Sequence, residues 1–157
     1  MRKIYNQAWE KNWNAIAMTE REFDFLAKDL KSILDPGLCL IAEADGEEVG
    51  FALALPDYNQ VLRRLDGRLF PFGFLKFLYY RRKINRTRIL TLGVLEKYRK
   101  MGIDSAFIYQ LYAHSINKGY LSGEQSWILE TNATMNNALI RLGYNRYKTY
   151  RVYDYRL

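Results

Sequence analysis

The residues best suited to chemistry in this chain lie between positions 90 and 103. Gly93, Glu96, Lys97, Arg99, Lys100 and Gly102 separate an apolar run (Leu90, Leu92, Val94) from a second one that begins at Ile103. The pattern predicts a strand that breaks into a glycine turn and then a helix. Such a turn leaves successive backbone N–H groups at a helix N-terminus, where the helix dipole favours negative charge. Lys97, Arg99 and Lys100 strengthen that preference. The chemistry of this spacing is a grip on a pyrophosphate.

A second feature lies upstream, in a segment (67–88) that reads as an aromatic-basic insert. Leu69, Phe70, Phe72, Phe74, Leu75, Phe77, Leu78 and Tyr79 form a greasy run that ends in Arg81, Arg82 and Lys83, with Arg86 and Arg88 beyond. Burial of these side chains at a bilayer interface would contribute several kcal/mol, at roughly 1.5–3 kcal/mol per large side chain. Each nearby Lys or Arg adds about 1 kcal/mol on an anionic leaflet. The alternative is that the run packs on its own domain or on another lobe.

Bulk composition limits the remaining choices. The chain has 157 residues, 49% of them hydrophobic, which suits one globular domain with a core. Its single cysteine, Cys39, excludes an internal disulfide framework and fits a reducing, cytoplasmic compartment; within an apolar run it reads as a buried structural thiol. The lone His114 with one Cys makes no metal site. Positions 1–9 lack an apolar stretch of signal length, and the greasy run of 69–80 is too short to span a bilayer. The expectation is a protein that is soluble or peripheral at the inner membrane face.

The net charge of +7 is concentrated in one region. From Arg63 to Lys100 there are 12 Lys or Arg against two acids, Asp66 and Glu96, which leaves 12 basic and 15 acidic residues elsewhere. Such a patch predicts an anionic partner: a phosphate-bearing cofactor, a lipid headgroup or a nucleic acid. A solvated basic face is the bland alternative. Nucleic acid is disfavoured, because aliphatic bulk interrupts the patch and no recognition-helix pattern accompanies it.

These residues need elements to position them. Thr19 and Glu22 form a capping box ahead of Phe23, Leu26, Ala27, Leu30, Ile33 and Leu34 at helical spacing, stopped by Asp35, Pro36 and Gly37. Strands are expected over 38–43 and 48–55, joined at Asp45 and Gly46, a strong hairpin signal. A short helix through Val61, Leu62 and Leu65 should close at Asp66 and Gly67. Beyond the insert come a strand over 86–95, a helix over 103–118 ending at Gly119, a strand over 126–130, a helix over 131–142 ending at Gly143, and a last strand over 146–155. The expected fold class is α/β, one domain over 1–157, with a mixed, mostly antiparallel sheet flanked by helices.

In that frame the chain resembles the GNAT N-acyltransferase superfamily. The family's pyrophosphate motif, Gln/Arg-x-x-Gly-x-Gly/Ala, falls on Arg99, Gly102 and Asp104; the first two match and Asp104 departs, with backbone donors at Met101, Ile103 and Asp104 available whatever the side chain. A second motif places an Asn after the next strand and Gly and an aromatic eleven and twelve residues later, matched by Asn132, Gly143 and Tyr144. Seven residues after that Asn, many members carry a Tyr that protonates the leaving thiolate; here the residue is Leu139. Longer strings within 6–13, 55–60, 67–73, 91–94, 126–132 and 147–150 (among them Trp9, Trp13, Pro56, Asp57, Phe70, Phe72, Trp127 and Tyr150) resemble the C-terminal lobe of the bacterial ceramide-synthase-like branch, whose members are two-lobed and more than twice this length. Residues 14–17 differ from the more aromatic, glycine-containing segment expected there.

The resemblance implies transfer of an acyl group from acyl-CoA to an amine, a sphingoid-type lipid amine in this branch, without a metal. It places Leu92, Val94, Arg99, Lys100, Met101, Gly102, Ile103, Asp104 and Asn132 against the coenzyme, and has the Val94 N–H polarise the thioester carbonyl. Asn132 would bond the pantetheine arm; an N-cap is the alternative. An amine must lose a proton to attack. On the expected strand over 126–130, Ser126, Ile128 and Glu130 share one face, joined by Glu124 if the strand starts earlier. Glu130 is the candidate acceptor of that proton, directly or through water; the alternative is that it stabilises the following helix. Asp57, Asn59, Phe72 and Phe74 are candidates for the acceptor side, with a turn and N-cap as the plain explanation of the first two. Two other readings stand: a non-catalytic CoA-binding or docking lobe of a two-lobed acyltransferase, and an aminoacyl or protein N-acetyltransferase. Oligomeric state is not readable.

Overall fold

The computed structural model describes residues 2–9, 16–149, 151, 153 and 155. The chain divides into two compact units, residues 1–124 and 125–157.

The first unit begins with helix α1 (Arg2–Trp9), which packs against the strands Glu47–Pro56 and Arg86–Val94 and buries Ile4. Helix α2 (Glu20–Leu30) starts at the expected capping box: the Thr19 hydroxyl oxygen accepts from the Glu22 N–H, and the Glu22 carboxylate accepts from the Thr19 N–H. It stops at Leu30, with Lys31 as C-cap, so Ile33 falls in a turn and Leu34 just beyond it. None of its residues is buried. The periodic face that predicted the helix is therefore present without a fully buried residue, with Phe23 and Leu30 part-buried.

The hairpin is the expected one. Strands β1 (Cys39–Ala44) and β2 (Glu47–Pro56) pair antiparallel, and Asp45 and Gly46 both take positive φ, the geometry that matches strand twist in a tight turn. Helix α3 (Asn59–Leu65) follows and seats Val61 and Leu65. Helix α4 (Gly73–Arg81) packs on α3. A Cβ on Gly73 would collide with the Arg68 carbonyl, so only glycine permits the tight approach that folds 68–73 back on itself.

Strand β3 (Arg86–Val94) pairs antiparallel with β2, with an irregularity that leaves Leu90 as an extra residue between Ile89 and Thr91. Helix α5 (Ile103–Asn117) follows a 3-10 turn (Glu96–Tyr98). Phe107 and Leu111 of α5 join Leu38, Val49, Ala52, Ala54, Ile89, Val94 and Tyr98 in the main core. By the period of two, Phe51, Leu53 and Leu55 point to the opposite face of β2, and they too are buried. Strand β4 (Ser122–Gln125) completes a sheet of order β1-β2-β3-β4. The α/β class and the antiparallel character expected from the pattern are what the chain adopts.

In the second unit, helix α6 (Ala133–Arg141) is capped by Asn132 and followed by Gly143 at φ 85°. Two expected strands are corrected here. The strand placed at 126–130 is instead β4, four residues earlier, because Trp127 takes φ 62°, a conformation that ends an extended run. At 146–155 the described residues form no strand; Tyr150, Val152 and Asp154 of that span lie outside the described residues, as do Trp13, Asn14 and Ala15 of the N-terminal strings.

Candidate active site

β3 and its turn carry the site. The Leu95 N–H donates to the Val49 carbonyl across 2.9 Å, which makes that pair a hydrogen-bonded one in the antiparallel ladder. The next pair, Gly50 with Val94, is then a non-bonded pair, as is Ala52 with Leu92. The N–H and C=O groups of Val94 and Leu92 consequently point away from β2. At Val94 the carbonyl is taken by Arg99, whose Nε donates to it at 3.2 Å, while Arg99 Nη2 donates to the Ala8 carbonyl, also at 3.2 Å. Arg99 thus serves as a tie among the strand end, the turn and α1. The sequence placed it at the coenzyme, and nothing in residue type announced that its donors would be spent on two carbonyls.

The turn itself has the expected form. Lys100 (φ 67°) and Gly102 (φ 80°) both lie in the left-handed region, and Gly102 is the N-cap of α5 with no side-chain bond covering the first turn. The N–H groups of Ile103 and Asp104 head a four-turn helix and have no intrahelical acceptor by position. Lys97, Lys100 and Met101 are exposed around them. Asp104 sits in the first turn, where a carboxylate is favoured by the dipole but competes with an incoming anion.

Leu92, Val94, Arg99, Lys100, Met101, Gly102, Ile103 and Asp104 are therefore brought together. Asp57 and Asn59 are not with them. The Asp57 N–H donates to the Arg86 carbonyl at 2.8 Å, at the other end of β3 from Val94. Eight residues of strand separate the two, about 26 Å. Asp57 is buried; its Oδ1 accepts from the Asn59 N–H (3.3 Å) and Nδ2 (3.0 Å), the turn-and-cap arrangement. Its Oδ2 faces Arg86 at 4.0 Å. Phe72 and Phe74 lie at this same end, exposed on and just before α4, which is tied to the end of β2 by the stacking of Phe77 on Tyr58 at 6.0 Å.

Glu124, on β4, meets Arg88 at 3.1 Å and Arg86 at 3.7 Å, and its carboxylate is nearly buried. These ion pairs explain why β4 forms on residues as poor in strand propensity as Ser122 and Gly123. Sequence spacing did not single out this network. It also missed Thr91, beside the extra residue in β3, whose hydroxyl is a buried side-chain oxygen without a hydrogen-bond partner among the described residues. Such atoms are rare in folded proteins.

In the second unit, Glu130 stands in a turn and not on a strand. Both its oxygens accept from Arg151 Nη2, at 3.1 and 3.0 Å, and the pair is half exposed. Asn132 Oδ1 accepts from the Met135 N–H at 3.2 Å, so the N-cap arrangement is present. Leu139 is buried and offers no proton. Gly143 and Tyr144 close α6, with the Tyr144 N–H on the Leu139 carbonyl at 3.0 Å. Cys39 is half-buried, not fully buried as expected, and burial pushes its thiol pKa up, away from nucleophilic use. Among the described residues no group of three or more His, Cys, Asp or Glu could hold a metal ion, and no helix is long and apolar enough to cross a membrane.

A strand that turns its last peptide groups away from its neighbour, a glycine turn and a helix start without a side-chain cap together leave backbone N–H groups where an anion can be received. The model of the acetyltransferase (GNAT) family matches residues 1–144, and the chain belongs to that family, whose enzymes take an acyl-CoA as co-substrate. It is 37% identical to protein YghO of Escherichia coli K12 over 98% of this chain and 41% of that protein. It is 35% identical to the bacterial ceramide synthase of Caulobacter vibrioides, over 97% of this chain and again 41% of that one. The chain thus spans about two fifths of the length of these relatives. Among solved structures, aminoglycoside acetyltransferase AAC(6')-Iy in complex with a CoA-linked bisubstrate analogue superposes with a TM-score of 0.59, covering 99% of this chain and 89% of that one at 20% identity.

Proposed function

We propose that the chain is an N-acyltransferase that moves an acyl group from acyl-CoA to a lipid-type amine of the sphingoid kind. The observation that carries the reading is the paired geometry of Val94 and Gly102: an outward-facing N–H at the end of β3, fixed by Arg99 to a turn that opens an uncapped helix. The pyrophosphate meets the N–H groups of Ile103 and Asp104 with Lys100 beside them, and the pantetheine arm runs back along Leu92. The Val94 N–H donates to the thioester oxygen as charge develops on it. The amine nitrogen forms its bond to the carbonyl carbon, the carbon–sulfur bond breaks, and CoA leaves as its thiolate. Residue type and motif register assign Asn132 to the pantetheine and Glu130 to the amine proton. The Glu130 carboxylate is held by Arg151 in the resting protein, and a half-exposed pair of this kind opens at little cost.

The lipid character of the acceptor rests on the likeness to the ceramide synthase and on the greasy surface at the Asp57 end of β3. Domain assignment follows: 1–157 as one acyltransferase module, with 67–88 as an insert at the acceptor end. Acyl-CoA would reach it from the cytoplasm.

A second reading, a CoA-binding or docking lobe without catalysis, is favoured by Leu139, buried where a proton-donating Tyr is common. Incubation with acetyl-CoA or palmitoyl-CoA and a panel of long-chain amine, short alkylamine and peptide separates the two. Thiol release with a matching amide mass on the long-chain amine is the expected result. CoA binding without amide on any acceptor gives the docking reading.

A further inference from the structure

The surface of α4 and the segment before it has a composition that the transfer of an acyl group does not itself require. Leu69, Phe70, Phe72, Phe74, Leu75 and Tyr79 are exposed in one stretch, Phe70 at 89% and Phe72 at 67%. Three large aromatics within five residues on an open surface are unusual for a protein that meets only water. They are not loose: Gly73 locks the segment against Arg68, the Phe74 N–H donates to the Leu69 carbonyl at 2.9 Å, and Phe77 is stacked on Tyr58. The fold thus holds these rings outward on a fixed base.

Charge decides what they meet. Arg63, Arg64 and Arg68 lie on and after α3, Lys76 and Arg81 lie on α4, and Arg82 and Lys83 follow it. The acid within this stretch is Asp66. Arg64 lies over the Tyr80 ring at 5.8 Å and Lys83 over Tyr79 at 4.3 Å, which places cations beside the aromatic surface. An aromatic centre ringed by these seven cations and one acid suits an acyl-chain boundary under anionic headgroups.

We propose that α3, α4 and the turn between them dock the protein on an anionic lipid bilayer, with Phe70, Phe72 and Phe74 entering the headgroup–acyl boundary and the Arg and Lys rim meeting lipid phosphates. The docking end is the Asp57 end of β3, about 26 Å along the strand from the Val94 end. A lipid acceptor would then enter from the bilayer side while acyl-CoA is held at the far end. This last point rests on the proposed acyl transfer; the docking itself does not.

Co-sedimentation of the full chain with vesicles tests it without turnover. Vesicles with one quarter phosphatidylglycerol should bind the protein, and pure phosphatidylcholine should bind it at least tenfold less. The Phe70→Ser/Phe72→Ser/Phe74→Ser variant should lose binding at least tenfold at unchanged circular dichroism. Arg81→Gln/Arg82→Gln, which leaves the rings intact, should lose about fivefold per charge and become insensitive to part of the salt dependence. Unchanged binding of the triple variant overturns the proposal. So does failure of the parent protein to bind anionic vesicles, including the case in which it forms dimers that the triple variant dissolves.

Discussion

Arg99 Nε donates to the carbonyl oxygen of Val94 across 3.2 Å and so ties the end of β3 to the turn that leads into α5. The same guanidinium reaches the Ala8 carbonyl, so the frame extends to α1. A residue that resembles a cofactor ligand in the sequence acts by holding the backbone groups that would meet the cofactor. Replacement by Ala should lower stability by about 1–2 kcal/mol, the lower part of the ~1.5–3 kcal/mol for a bond to a charged group because Arg99 is exposed. It should also raise the Kd for CoA at least tenfold, and calorimetry with chemical denaturation measures both. A change in stability without a change in Kd would separate the tie from the site.

Gly102 at φ 80° has open space around the position of a Cβ, so substitution acts through the backbone alone. Gly102→Ala should cost about 1–2 kcal/mol if the turn keeps its left-handed conformation. If the turn relaxes instead, the N–H array is lost and CoA affinity falls more than tenfold with little change in melting. Measurement of Tm beside Kd distinguishes these outcomes, and either one requires a response at this position.

Two carboxylates near the expected strand have opposite expected phenotypes. Glu130→Gln should abolish turnover and leave CoA affinity unchanged; near-normal turnover would remove Glu130 from the mechanism. Glu124→Gln breaks ion pairs with Arg86 and Arg88 in a nearly buried setting and should destabilise the fold by about 2–4 kcal/mol. Urea melts of the two variants check the contrast.

Asp35 joins the turn before β1 to α5. Burial pushes its carboxyl pKa up, but the Gly37 N–H bond, the His114 bond at 3.2 Å and the Lys118 charge at 3.5 Å outweigh it and hold the pKa below the usual carboxylate value. A depressed pKa in the folded state means stability that is present above the unfolded value, near pH 4, and is lost as pH falls through the folded one. Asp35→Asn should therefore be less stable than the parent at pH 7 by about 1–2 kcal/mol. The gap should shrink below about pH 4, as urea melts from pH 3 to 7 would show.

The legible parts of this chain were local ones. Thr19 with Glu22, Asp45 with Gly46, and Gly102 ahead of Ile103 each specify their structure within a few residues, and each stands as expected. What the residues did not reveal depends on partners far along the chain. β4 is set by Glu124 meeting arginines 36 and 38 residues earlier, and the extended run expected at 126–130 is ended by the backbone of Trp127. The direction of the Val94 N–H follows from the bond between Leu95 and Val49, a matter of strand register. Arg99 and Asn132 occupy family positions, yet their side chains bond backbone groups of the chain itself, since motif spacing fixes a residue's place and not the groups its side chain finds.

The most direct measurement is the melting temperature of the protein with saturating palmitoyl-CoA, acetyl-CoA or free CoA. A ligand at about 100 times its Kd that binds only the folded state adds ~2.7 kcal/mol, a rise of roughly 5–10 °C for a chain of this size. The account predicts such a rise with all three and the largest with palmitoyl-CoA. No rise with any of them would contradict a coenzyme cradle at Val94 and Gly102.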